Sequence, residues 1–390
     1  MGGGVPCKLS IDKISALLVI SVFFINLKLL PIDAEFQPIL TLLLSFIIIL
    51  SIFDKHRFSM ELLYKVLYVF LFIVVLLLYF ILSPSATSLI SVFKYLLGPF
   101  VYLALVVSGV RFEINKFRIL FSIVTIYYLL WLMGPLSEFN QYLFGRGGGL
   151  PDAPFVREPS YFFYIIGFTA MLFERILYLN KPNVREIYFV RSLIVFMALF
   201  TGSLLNYLFV IVYFVYLLKI KYIFWGLLLI SFFIIFYSFN LDGRVGVLLK
   251  LILFKLEFSD FLFVEPSGST RLVLNYVAFS NMVENPFGSG LGSFVYSYQN
   301  FMQNNPVFSK HEVLGSLDVR TPQTYMASVF HDFGVFGFIF LLFLFRFDFK
   351  VQVNRYKLFL LTLLVIMVFF QSPLTNPIFW FALYFFSEKL

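Results

Sequence analysis

One cysteine in 390 residues, Cys7, leaves no intrachain partner for a disulfide and no cluster for a thiolate metal site. Three histidines, His56, His311 and His331, are too dispersed for a ligand motif, so no metal is predicted. No repeat of roughly 20 to 50 residues and no low-complexity tract is present. The first apolar run follows Lys8 and Lys13 and ends at Lys28 without a small-residue cleavage site, so it reads as a retained helix. Charge is scarce, at 13% of residues against 61% hydrophobic and 21% aromatic, with a mean hydropathy of +0.94. A water-soluble domain cannot cover its surface with that composition. No cofactor and no nucleic-acid partner are expected.

What is present is hydrocarbon, in runs close to the roughly 20 residues a helix needs to cross a bilayer. Backbone groups in lipid must bond internally, and the period-2 alternation of a barrel is missing, so the spans are helices. Apolar segments lie near 14–30, 38–53, 62–82, 89–110, 117–133, 160–179, 192–205, 206–218, 222–239, 325–345, 358–371 and 374–387. The expectation is an all-α, polytopic integral membrane protein, one domain over 1–390, with about twelve crossings.

Lys and Arg fall on alternate connections: Lys55 and Arg57, then Arg111, Lys116 and Arg118, Arg175 to Arg191, Lys219 and Lys221, and Arg346 to Lys357. Because cytoplasmic loops carry the excess, both termini are placed in the cytoplasm. The stretch 192–218 is read as two short helices turning at Thr201-Gly202-Ser203, a hairpin that need not cross completely; a single helix there would invert every later loop. The outer face then receives a loop at 134–159 and a large loop at 240–324, long enough to be functional. Within the latter, 244–258 suits an amphipathic helix in the headgroup plane.

Both outer loops are basic and glycine-rich. The first contains Arg146, then Arg157-Glu158-Pro159-Ser160, and runs directly into a helix. Proline and serine are natural first-turn residues, and the positive helix end favours an anion. Arg157 offers a forked donor for phosphate oxygens, and Glu158, if desolvated, a general base. The alternative is a capped helix carrying a surface ion pair. Glu265-Pro266-Ser267 repeats the tripeptide without a long apolar span behind it, so context carries the specificity.

The second constellation is Ser267-Gly268-Ser269-Thr270-Arg271, followed by an amphipathic stretch and Asn285-Pro286-Phe287-Gly288-Ser289-Gly290-Leu291-Gly292. Glycines at 288, 290 and 292 permit positive φ, which serves either a phosphate-cradling nest or a tight turn between helices. The third runs from Arg320 through Gln323 and Tyr325 into a helix carrying His331 and Asp332. Adjacent residues point about 100° apart on a helix, so His331 and Asp332 are not expected to share a face. No Ser, His and Asp triad is predicted, since the candidates are scattered in sequence.

In this order and on this topology the three segments resemble the O-antigen polymerase and ligase superfamily, more closely the Wzy-type polymerases, over roughly 145–340. The resemblance rests on Arg157 to Ser160, on Arg271 ahead of Asn-Pro-x-Gly-x-Gly-x-Gly, and on Gln323 through Asp332 to Gly337. Gln323 stands where ligase-like relatives carry a titrating His, which argues for polymerase over ligase.

The resemblance implies a GT-C-like, metal-independent glycosyltransferase in the bacterial inner membrane, acting on undecaprenyl-pyrophosphate-linked oligosaccharide at the periplasmic face. Arg157, Arg271 and Arg320 would neutralise the pyrophosphate, with Glu158 as first and His331 as second candidate base. Arg146, Ser160, Gly288, Gly290, Gln323 and Tyr325 complete the expected substrate-binding set. Membrane lipid, a chain-length regulator and a flippase of the same pathway are the implied partners. The rival readings are an O-antigen ligase, a polysaccharide flippase or transporter, whose usual repeated halves are not visible, and a non-enzymatic scaffold.

Overall fold

The structure is a computed structural model that describes residues 11–27, 38–53, 60–82, 85–109, 112–143, 153–156, 159–179, 183–201, 203–218, 266–305, 322, 324–337, 354–371 and 376–387. Among these residues the regular elements are all helices, with no strand and one isolated bridge between Ala153 and Val156. The expected headgroup-plane helix at 244–258 lies outside the described residues.

The helices are α1 (Ile11–Ser21), α2 (Ile39–Phe53), α3 (Met60–Leu82), α4 (Ala86–Ser108), α5 (Ile114–Leu132), α6 (Ser137–Leu143), α7 (Phe162–Leu179), α8 (Val184–Phe200) and α9 (Leu204–Leu217). After them come α10 (Pro266–Glu284), α11 (Phe294–Asn304), α12 (Tyr325–Phe333), α13 (Arg355–Ile366) and α14 (Pro377–Ser387). Among the described residues, three stretches are long and apolar enough to cross a membrane: Thr87–Ser108, Ile114–Leu132 and Pro159–Leu179. Five shorter apolar helices, including Ile39–Ser51 and Pro377–Ser387, accompany them.

Local chemistry explains the ends. Ser85 caps α4 by accepting from the Ser88 amide at 3.0 Å, and Gly109 closes it with φ +52°. The break between α8 and α9 falls at 201–203, where the sequence reading put its turn, with Ser203 as the extended N-cap of α9. Helix α8 starts eight residues before its apolar run at 192. Asn183 accepts from the Arg185 amide at 3.1 Å, and Glu186 takes a bidentate pair from Arg118 of α5 at 2.6 and 2.7 Å. Polar residues thus extend the helix beyond the hydrocarbon run.

Helix α4 is central, packing against α2, α3 and α14, while α7 packs against α8, α9 and α14. Gly98 lets Trp380 of α14 lie on the α4 backbone: a Cβ there would stand 1.9 Å from the indole nitrogen. α7 is buried along nearly its whole length, whereas α3 and α5 turn Leu67, Phe70, Ile119 and Ile123 outward as a lipid-facing surface needs. Beside this bundle, α10, α11 and one face of α12 share a second cluster around Leu274, Ala278, Phe294 and Ala327, while Tyr325, Val329, Phe330 and Phe333 of α12 join the main core.

Candidate functional site

Pro159, Ser160 and Tyr161 form a 3-10 turn that feeds α7, as a proline in a first turn favours. The Asn206 side-chain amide, from the first turn of α9, donates to the Pro159 carbonyl at 3.2 Å, so the α8–α9 turn reaches the level of the α7 entrance. Asn206 is fully buried, and its Oδ1 has no hydrogen-bond partner among the described residues.

Arg271, in the second turn of α10, donates from Nη2 to the Ser160 hydroxyl at 3.3 Å. One helical turn further, Asn275 accepts from the Thr324 hydroxyl at 2.6 Å, and that hydroxyl accepts from the Ala327 amide at 3.2 Å, capping α12. One edge of α10 therefore touches the serine of the first motif with Arg271 and the start of the third with Asn275. Arg146, Arg157, Glu158, Arg320 and Gln323 lie outside the described residues.

The glycine segment 288–292 adopts the positive φ expected, at +85°, +87° and +74° for its three glycines. The amides of Gly288, Ser289 and Gly290 are engaged within the protein. Ser289 N–H donates to the His331 carbonyl at 2.9 Å and Gly290 N–H to the Asp332 carbonyl at 3.3 Å, while Val335 N–H returns to the Pro286 carbonyl at 2.8 Å. Gly288 and Gly290 thus serve a close backbone junction with the end of α12 rather than an open phosphate cradle. Tyr325, expected to face substrate, is turned into the bundle and stacks on Phe379 at 4.8 Å between centroids.

His331 is sealed from solvent at 0% exposure, with both ring nitrogens engaged. Its Nδ1 lies 2.9 Å from Asp332 Oδ1 and its Nε2 lies 2.9 Å from the Ser297 hydroxyl of α11. The Tyr95 hydroxyl of α4 donates to Asp332 Oδ2 at 2.9 Å. This corrects two expectations. His331 and Asp332 do meet, side chain to side chain from neighbouring positions in the last turn of α12, because both side chains bend toward each other despite the angular offset of adjacent helix positions. A Ser, His and Asp chain does form, from residues 35 positions apart that sequence spacing does not connect.

Sequence reading missed Tyr95, Asn206, Asn275 and Ser297. A lone Asn within the apolar run 204–218 was a usable signal for Asn206. Ser297 carried none. Nearby Tyr298 stacks on Phe294, and burial pushes its hydroxyl up to about 12, which keeps it a neutral donor. Comparison with known proteins finds no match to this chain among family models, curated proteins or solved structures.

Proposed function

We propose that the chain is a GT-C-like polysaccharide polymerase of the inner membrane, with both termini cytoplasmic. It would transfer a growing chain from its undecaprenyl pyrophosphate to a sugar hydroxyl of a new lipid-linked unit at the outer face. The observation that supports this reading most is the α10 edge, where Arg271 meets Ser160 and Asn275 meets Thr324. Parts of the first, second and third motifs join there, as one substrate site demands.

A pyrophosphate leaving group needs fixed positive charge as its own charge develops, and Arg271, with Arg157 and Arg320, supplies it without a metal. Glu158, next in sequence to the Pro159–Tyr161 turn, is the base for the acceptor hydroxyl. The test is purified protein with lipid-linked oligosaccharide, following product length. Lengthening should persist in EDTA, and Arg271→Ala and Glu158→Gln should each slow it by about 100-fold or more. Wild-type chain extension by either variant removes that residue from the mechanism. No extension by the folded wild-type protein overturns the reading.

A further inference from the structure

The Tyr95, Asp332, His331 and Ser297 chain has no part in the reaction above, in which Glu158 is the base. Its proton order follows from its ends. Tyr95 O–H donates to Asp332 Oδ2 at 2.9 Å. A carboxylate accepts only, so the imidazole nitrogen 2.9 Å from Oδ1 must be the protonated one. In the neutral imidazole, Nε2 then carries the lone pair and accepts from the Ser297 hydroxyl at 2.9 Å. The reverse tautomer would set a lone pair against the carboxylate.

Packing holds this order in place. Phe294 stands edge-on to the His331 ring at 5.1 Å, and Phe333 does the same to Tyr95 at 5.2 Å. The backbone bonds from Ser289 and Gly290 to the His331 and Asp332 carbonyls clamp the other side. Ser297 also sits 3.4 Å from Asn281 Oδ1, a longer contact than the one to His331. The closed end of the chain is buried, while Ser297 is half-buried, so the serine is the end open to a reagent.

We propose that Ser297 is an activated nucleophile, with His331 as its base and Asp332 and Tyr95 as positioning residues, and that it takes carboxylic esters. Ser297 Oγ adds to the ester carbonyl carbon while its proton passes to His331 Nε2, and the Asp332 carboxylate stabilises the imidazolium. The carbon–oxygen bond to the alcohol then breaks, the alcohol oxygen takes that proton, and an acyl group remains on Ser297. Water repeats the sequence: its proton goes to His331, its oxygen to the acyl carbon, and Ser297 leaves reprotonated. No oxidant or co-reactant is required. This activity is separate from glycosyl transfer, and neither depends on the other.

The full-length protein in detergent, incubated with an alkyl fluorophosphonate and mapped by peptide mass spectrometry, tests it. Ser297 should be the labelled residue, Ser297→Ala should lose the label, and p-nitrophenyl acetate should give a burst of nitrophenolate that the same variant abolishes. His331→Gln should lower the inactivation rate constant by at least about 100-fold. Tyr95→Phe, which removes one hydroxyl from an otherwise unchanged ring, should lower that constant while leaving the reagent's binding constant in place and the protein folded, with a lower melting temperature because Asp332 loses a buried donor. A folded wild-type protein that takes no label at Ser297 overturns the proposal, as does equal labelling of His331→Gln. Should His331→Gln fail to fold, Ser297→Ala and Tyr95→Phe still decide.

Discussion

A β-carbon on Gly334 would stand 2.1 Å from the Pro286 carbonyl oxygen, at a φ of +58° that L side chains rarely adopt. The obstacle is backbone, which has no rotamer to yield. Gly109 provides the contrast: its φ is +52°, but no atom lies within 4 Å of the added carbon. Gly109→Ala should therefore cost only the left-handed penalty of about 1–2 kcal/mol. Gly334→Ala should cost that plus about 1–3 kcal/mol for forced overlap, and should loosen the junction that carries His331. Thermal unfolding in detergent separates the two; equal losses would mean that the Pro286 contact is not tight. Positive φ at 288, 290 and 292 was legible in the sequence, because only glycine takes that region freely. What these glycines face was not legible, since the Asp332 carbonyl met by Gly288 and Gly290 is more than 40 residues away in the chain and the Thr87 backbone met by Gly292 lies further still.

Glu174 shows the same limit for helices. It accepts from Nε and Nη2 of Arg191 at 2.9 and 2.7 Å, from the Tyr213 hydroxyl at 2.6 Å and from the Tyr216 hydroxyl at 2.8 Å. One buried carboxylate thereby ties α7 to α8 and α9, every oxygen engaged by two donors. Charge counting read Arg191 as a marker of the cytoplasmic connection, which gets the end of the bundle but not the partner. Hydropathy finds a helix by its apolar face and is silent on a polar residue buried against its neighbour. Glu174→Gln should strand Arg191 and cost about 3–5 kcal/mol, whereas Tyr213→Phe, removing one donor of four, should cost about 1.5–3 kcal/mol. Unfolding of the two variants in the same micelles checks the order; a smaller loss for Glu174→Gln would make the carboxylate incidental.

At the scale of the molecule, the charged groups divide between two ends. Arg118, Glu186, Glu174 and Arg191 gather where α5 and α8 begin and α7 finishes, while Ser160, Asn206 and Arg271 meet at the opposite end. Alternation of Lys and Arg made that polarity readable, and the α8–α9 turn fits it because Asn206 reaches the Pro159 carbonyl. The count of about twelve crossings was less secure, since 219–265 and 338–353 lie outside the described residues. Sidedness itself is open to direct measurement, because the chain supplies its own control: Cys7 is its one cysteine, on the segment expected in the cytoplasm. Single substitutions Ser137→Cys in α6 and Asn304→Cys in α11 place a second thiol on each of the two connections expected outside. An impermeant maleimide should label both in intact spheroplasts and reach Cys7 only after lysis. Labelling of Cys7 in intact cells, with 137 and 304 protected until lysis, would invert the molecule. It would turn the Arg271 and Ser160 edge toward the cytoplasm, where an outward-facing lipid-linked acceptor could not reach it.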